Sequence, residues 1–215
     1  MKYTTIIFDL DGTLLNTLAD LAAATNYALA EHKLPQRTTD EVRLFVGNGI
    51  RKLIERAVPA DTPAELQEEV FSSFNKYYKQ HCADSTRPYD GVPQLLQQLR
   101  AAGCRTAIVS NKADYGVQAL AKQYFNGQLD DACGERAGIA KKPAPDMLLA
   151  IMQQLKAEPA STIYIGDSDT DIATASNAGV DCIGACWGFR GRVFLEAHGA
   201  KLLAENVGDI WELIK

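Results

Sequence analysis

Four short runs of β-branched and aromatic residues alternate with stretches in which apolar residues recur at helical spacing. The runs predicted as buried strands are YTTIIF (3–8), RTAIVS (105–110), STIYIG (161–166) and VDCIGA (180–185). The predicted helices cover residues 91–102, 114–124, 145–156 and 168–179. Strands and helices that alternate in this way predict an α/β fold: a doubly wound, mostly parallel sheet covered by helices, with a Rossmann-like core.

The stretch between the first two predicted strands breaks this alternation. Residues 15–87 contain no good strand candidate, and their apolar spacing predicts helices near 17–32, 39–46, 49–58 and 63–82. Turn-forming segments separate these helices, among them VGNG at 46–49 and ADTP at 60–63. We therefore predict an α/β core of residues 1–15 and 88–215 and an inserted all-helical domain of residues 16–87.

Composition excludes several classes of protein. The 215 residues are 47% hydrophobic and 23% charged, with a formal net charge of −5, so the clustered basic charge of a nucleic-acid-binding protein is not expected. No apolar run approaches the roughly 20 residues needed to span a bilayer. The segment MKYTTIIFDLDG reaches Asp9 too early for a signal peptide. The five cysteines lack the pattern of a disulfide framework or zinc site. We expect a cytoplasmic monomer or homodimer.

Polar residues follow three of the predicted strands at the point where each ends. The first strand runs into Asp9, the second into Ser110 and Asn111, and the third into Asp167. Ligands of open α/β sheets bind outside the carboxyl ends of the strands, so these side chains are expected to meet in one crevice. Asp171 lies one helical turn beyond Asp167 and can face the same crevice.

Crowded carboxylates repel one another unless a cation lies among them. Mg²⁺ suits such a site, because it takes one or two carboxylates and keeps water and substrate phosphate as its other ligands. The segment AKKPAP supplies Lys141 and Lys142, either of which could balance phosphate charge. A calcium loop in DSDTDI is excluded, since Ile172 and Ala178 occupy the positions that need glycine and glutamate.

These residues resemble the four motifs of the haloacid dehalogenase superfamily of phosphohydrolases. The matching segments are DLDGT (9–13), Ser110, Lys142 before Pro143, and GDSDTD (166–171). The helical insert is similar to the mobile helical (C1-type) cap of that superfamily. The segments VGNGIRKLIERA (46–57) and CWGFRGR (186–192) look most like its phosphoglycolate phosphatase branch. Asn16 departs from the aspartate often found at this position in that superfamily.

The resemblance implies a role for each acidic residue. Asp9 would be the nucleophile that forms an aspartyl-phosphate, and Asp11 would protonate the leaving alkoxide and then activate water. Mg²⁺ would be held by Asp9, Asp167 and the main-chain carbonyl of Asp11. The carboxyl of Asp11 would itself stay free to carry a proton. Asp171 would orient the lysine or a metal-bound water, and Asp169 is an alternative for that role.

The resemblance also implies a phosphate-binding set. Its members are Thr13, Ser110, Asn111 and Lys142. Lys142 would in addition stabilise the transition state. Lys141 remains an alternative, although the adjacent Pro143 favours Lys142.

Several reactions fit these motifs. A dehalogenase is disfavoured by Asp11, because a halide needs no proton, and a silent binding module would not need an acid at that position. A Mg²⁺-dependent phosphomonoesterase acting on small phosphorylated metabolites is the preferred hypothesis. Alternatives are a phosphosugar mutase similar to β-phosphoglucomutase and a pyrophosphatase of the same superfamily.

The substrate is less well determined than the reaction. The carboxylate of 2-phosphoglycolate could be bound by Arg51 or Lys52, although both residues could equally lie on a solvated helix face. The cap of this superfamily opens and closes during turnover, so residues 14–17 and 84–90 are predicted hinges.

Overall fold

The computed structural model describes all 215 residues. In chain order the strands are β1 (Thr5–Phe8), β2 (Leu15–Asn16), β3 (Arg87–Pro88), β4 (Arg105–Ala113), β5 (Asp131–Glu135), β6 (Thr162–Gly166), β7 (Asp181–Ala185) and β8 (Leu202–Ala204). The helices are α1 (Leu18–Glu31), α2 (Thr39–Phe45), α3 (Ile50–Ala57), α4 (Ala64–His81), α5 (Val92–Ala101), α6 (Asp114–Phe125), α7 (Asp146–Gln154), α8 (Asp169–Ala178), α9 (Arg192–Ala197) and α10 (Asp209–Leu213). The chain divides into two units, residues 1–15 with 88–215 and residues 16–87.

The larger unit is built on a six-stranded sheet in the order β5-β4-β1-β6-β7-β8, and every neighbouring pair is parallel. Central β1 is fully buried, and its Ile7 lies opposite Ala107 of β4 and Tyr164 of β6. The predicted α/β fold with a parallel sheet is confirmed. After β1 the chain adds β4 and β5 on one side of this strand and then β6, β7 and β8 on the other. The carboxyl end of β1 therefore lies at the topological switch point where ligands of such sheets bind.

The strand predictions were incomplete at the edges of the sheet. The pattern missed both edge strands: β5 begins with Asp131 and ends with Glu135, and β8 has only three residues. The stretch 15–87 was expected to contain no strand, yet its two borders form the two-residue strands β2 and β3 of a separate small sheet. Strands this short carry too few residues to show a period, so only their partners define them.

The smaller unit contains helices α1 to α4. Helices α1 and α4 face each other, and the rings of Tyr27 and Tyr77 stack between them at 4.3 Å. Within this unit the buried carboxylate of Asp20 accepts hydrogen bonds from the backbone N–H groups of Ser85 and Thr86 and from the Thr86 hydroxyl at 2.7–3.1 Å. These hydrogen bonds connect the segment that follows α4 to α1. No helix in either unit combines the length and apolar character that crossing a bilayer requires.

Strand β4 is irregular where it enters the site. Its pairing with β5 runs regularly to Val109, opposite Cys133, and resumes at Ala113, opposite Glu135. Four steps along β4 thus match two along β5, which is a bulge. A Cβ on Gly134 would lie 2.6 Å from the carbonyl oxygen of Lys112, so the bulged backbone leaves no room for a side chain there. The bulge carries residues 110–112 toward the carboxyl end of β1.

Candidate active site

Three buried carboxylates from separate segments meet at the carboxyl edge of the sheet. Asp9 follows β1, Asp167 follows β6, and Asp171 lies in the first turn of α8. Carboxylate oxygens of all three lie within 4.8 Å of one another. The strand ends place Asp9 and Asp167 side by side because β1 and β6 are paired neighbours.

Burial makes ionisation of Asp9 and Asp167 costly. It is the main cause that raises the pKa of Asp9 to about 6, and the Lys142 ammonium opposes that rise. Burial also raises the pKa of Asp167 well above its usual range, with further contributions from the charges of Asp171 and Asp9. A backbone N–H bond from Phe189 acts in the opposite direction. A cation that binds between two such acids stabilises their ionised forms and lowers their pKa values.

Lys142 is the cation that the chain itself supplies to this cluster. Its Nζ lies 2.8 Å from Asp9 Oδ1 and 2.7 Å from Asp171 Oδ1, with 2% of its side chain exposed. Burial acts to lower the pKa of this ammonium, but the charges of Asp171 and Asp9 outweigh it and hold the pKa above the ordinary value. Lys141 instead faces Glu135 at 3.5 Å on a partly exposed surface. The geometry therefore selects Lys142 from the two candidates.

Asp171 is held from several directions. It forms a capping box with Ser168, and its Oδ2 accepts a hydrogen bond from the Ser168 hydroxyl at 2.6 Å. Its Oδ1 pairs with Lys142 and lies 3.2 Å from the hydroxyl of Tyr164. Asp169, the alternative, is exposed at the start of α8. Asp171 is thus placed to orient Lys142.

Tyr164 is a site residue that the sequence reading missed. Its buried hydroxyl donates to the carbonyl of Val109 at 2.8 Å and accepts from Lys142 Nζ at 2.9 Å. One feature of the sequence indicated this role: a tyrosine inside a predicted buried strand, where its hydroxyl needs a hydrogen-bond partner.

The carboxyl of Asp11, which was expected to stay free to carry a proton, has a cationic partner that was not predicted. Lys112 Nζ lies 2.9 Å and 3.1 Å from the two oxygens of that carboxyl. The reason is the bulge in β4, which brings Lys112 to the site, and a regular strand pattern does not show a bulge. Lys112 directly follows the predicted site residues Ser110 and Asn111, and this position in the sequence was the one indication that it belongs to the site.

The predicted phosphate-binding residues lie on the same edge. Thr13 is fully buried and its Oγ1 has no hydrogen-bond partner, which is costly for a hydroxyl unless a ligand supplies one. Ser110 is buried and its Oγ lies 3.4 Å from the backbone nitrogen of Lys112. The side-chain amide of Asn111 donates to the carbonyl of Lys142 at 3.0 Å, which ties β4 to the segment that carries the lysine.

The loop after β7 completes the site and was missed as a site element. The Phe189 N–H donates to Asp167 Oδ2 at 2.6 Å, and the Trp187 indole donates to the carbonyl of Thr13 at 3.0 Å. A Cβ on Gly188 would lie 2.2 Å from Asp167 Cβ and 2.5 Å from the carbonyl oxygen of Gly12. Glycine is needed at 188 because this loop runs directly against the acidic cluster.

Arg51 belongs to the helical unit, in α3. Its guanidinium pairs with Glu68 and lies 4.2 Å from the centre of the Phe71 ring. Lys52 pairs with Glu55 on the same helix. The predicted contact of these two residues with a substrate remains a prediction.

A model of the haloacid dehalogenase-like hydrolase family matches residues 6–185. The chain belongs to this family. The match covers more than half of the chain and all the carboxylates described above. The predicted superfamily is confirmed, and so is its reaction class, a phosphatase acting on phosphoric monoesters.

Relatives of this hydrolase point to the same reaction class. The phosphoglycolate phosphatase of Aquifex aeolicus is 32% identical over 189 residues, which are 86% of this chain and 85% of the relative. The N-acetylmuramic acid 6-phosphate phosphatase of Pseudomonas aeruginosa is 29% identical and covers 100% of this chain and 96% of its own. The crystal structure of a candidate phosphoglycolate phosphatase from Lactobacillus delbrueckii subsp. bulgaricus is 35% identical, with a TM-score of 0.93 over 100% and 99% of the two chains.

Proposed function

We propose that this hydrolase is a Mg²⁺-dependent phosphomonoesterase that cleaves small phosphorylated metabolites through an aspartyl-phosphate on Asp9. The convergence of Asp9, Lys142 and Asp167 in one buried cluster carries the proposal. A nucleophilic carboxylate, a cation for phosphoryl charge and a second carboxylate for a metal are the groups that such a reaction needs.

The donor set fits Mg²⁺. Asp9 and Asp167 are buried oxygen ligands, and a cation bound between them would stabilise their ionised forms. The Asp171 carboxylate already accepts hydrogen bonds from Ser168 and Lys142. We propose that Asp9, Asp167 and the main-chain carbonyl of Asp11 hold the ion. When bound, Mg²⁺ would offset part of the negative charge of the two carboxylates and of the phosphoryl group.

Each residue of the site has its own role in the proposed reaction. Asp9 attacks phosphorus, and Lys142 stabilises the oxygens that gain charge. The buried Thr13 hydroxyl, which has no hydrogen-bond partner, and the buried Ser110 hydroxyl would donate to phosphoryl oxygens. Asp11 gives a proton to the leaving oxygen and later takes one from the water that hydrolyses the aspartyl-phosphate. Asp171 keeps Lys142 directed at Asp9.

We propose that the helical unit of residues 16–87 is the cap domain and that it supplies substrate selectivity. Arg51 is the candidate there for binding a substrate carboxylate. The names of the relatives make 2-phosphoglycolate and phosphosugars the first substrates to compare. We also propose a cytoplasmic location, in keeping with the small-metabolite substrates that those relatives are named for.

The proposal is tested by phosphate release from 4-nitrophenyl phosphate and from a panel of phosphorylated metabolites. Activity should require Mg²⁺, vanish with EDTA and return when Mg²⁺ is restored. Asp9→Asn should abolish it, whereas Asp61→Asn, a matched change at an exposed site, should not. Turnover that survives Asp9→Asn or full chelation would refute the mechanism. A panel ranked by kcat/KM then identifies the substrate.

A further inference from the structure

Lys112 is a buried cation with no assigned part in the reaction. Its ammonium contacts both oxygens of the Asp11 carboxyl, at 2.9 Å and 3.1 Å. Only 2% of the lysine side chain is exposed, against 14% of the Asp11 side chain. A buried contact to both oxygens restricts the movement of the carboxyl group more than a contact with an exposed, solvated lysine does.

The backbone position and the packing of Lys112 direct its side chain toward Asp11. It lies in the β4 bulge, and its carbonyl oxygen would be 2.6 Å from a Cβ on Gly134, so only glycine fits beside it. Its methylene stem runs along Gly116 of α6, where a Cβ would lie 3.4 Å from Lys112 Cε. The bulge thus positions the backbone of Lys112, and its methylene stem packs in van der Waals contact with Gly116.

We propose that Lys112 is a positioning residue for protonation of the leaving group, acting through Asp11. The inference rests on the function proposed above. An oxygen of Asp9 bonds to phosphorus, the bond from phosphorus to the ester oxygen breaks, and its electron pair stays on that oxygen. The leaving oxygen takes the proton from Asp11. The resulting Asp11 carboxylate faces the Lys112 ammonium, which holds it in place and stabilises its new charge.

Leaving groups that differ in their need for a proton test this role. Benzyl phosphate and 4-nitrophenyl phosphate have similar bulk, but benzyl alkoxide needs a proton as it departs and 4-nitrophenolate does not. A general acid contributes typically about 10²–10⁴-fold. We therefore expect Lys112→Met to lower kcat on benzyl phosphate about 10–100-fold and on 4-nitrophenyl phosphate less than about 3-fold.

Two controls separate positioning from general damage. Lys122→Met makes the same change at an exposed position on α6 and should leave both rates unaltered. Lys112→Arg keeps a cation next to Asp11 and should restore part of the benzyl phosphate rate. In an Asp11→Asn background, Lys112→Met should add little further loss on benzyl phosphate, because the group it positions is gone.

The outcomes distinguish the two proposals. An equal loss on both esters, no loss on either, or additive losses with Asp11→Asn would overturn the role of Lys112 while phosphatase activity stands. A wild-type protein inactive on both esters would instead refute the proposed function. If Lys112→Met fails to fold, Lys112→Arg carries the test, because a shifted cation should still lower the benzyl phosphate rate more than the 4-nitrophenyl phosphate rate.

Discussion

Replacing the proposed nucleophile should stabilise the metal-free protein while abolishing its activity. Asp9→Asn removes a buried carboxylate whose ionisation the fold disfavours, because burial raises its pKa to about 6 from an ordinary 3.8. The change leaves Lys142 paired with Asp171 at 2.7 Å. The variant therefore loses a costly charge without leaving the buried lysine unpaired.

The magnitude follows from the difference between the folded and unfolded pKa values of Asp9. A rise from 3.8 to about 6 corresponds to about 3 kcal/mol at about 1.4 kcal/mol per pKa unit. Because the folded pKa is the higher one, wild-type protein has the associated stability below pH 3.8 and loses it as pH rises through 6. Above that pH the carboxylate is ionised in both states and the folded state bears the cost. The amide of the variant has no such dependence.

Thermal unfolding with EDTA provides the assay. At roughly 2–4 °C per kcal/mol for a chain of this size, Asp9→Asn should raise Tm by about 6–12 °C at pH 7.5, and the gain should shrink toward zero near pH 4. Asp61→Asn, at an exposed position, should change Tm little at either pH. Adding Mg²⁺ should raise the Tm of wild type far more than that of Asp9→Asn, because the variant lacks one carboxylate of the proposed metal site.

Two results would contradict this reasoning. An Asp9→Asn protein no more stable than wild type at pH 7.5 without metal would show that the carboxylate is not under electrostatic stress. A stability gain of the same size at both pH values would show that its origin is not ionisation.

Three other changes probe the surroundings of the site. Gly188→Ala should displace Asp167 and lower Mg²⁺ affinity about 10-fold or more, measured by activation titration, because its Cβ has no room; unchanged affinity would contradict the steric argument. Tyr164→Phe removes one partner of Lys142 and should reduce kcat more than it raises KM in steady-state assays; a change confined to KM would contradict a role in orienting the lysine. Asp20→Ala leaves three donors without their acceptor and should cost about 2–4 kcal/mol in urea unfolding, whereas a loss below about 1 kcal/mol would show that they rebond elsewhere.

Elements with a strong apolar pattern could be predicted directly from the sequence. Central β1 and β6 are continuous apolar runs because both faces of a parallel sheet are covered. Their positions in the chain also show that Asp9 and Asp167 stand at strand ends. Edge strands β5 and β8 carry no such run, and their existence depends on a neighbour to pair with.

Chain-local features determined which residues could do chemistry here: acids directly after buried strands, a lysine before a helix, and a capping serine three residues before Asp171. Only the tertiary structure decided which of them touch. The β4 bulge brought Lys112 to Asp11, and the loop after β7 brought Phe189 to Asp167. The physical reason is that a strand or helix period follows from each residue's own neighbours. Contacts across the sheet depend instead on register shifts and close backbone approaches, which no local pattern encodes.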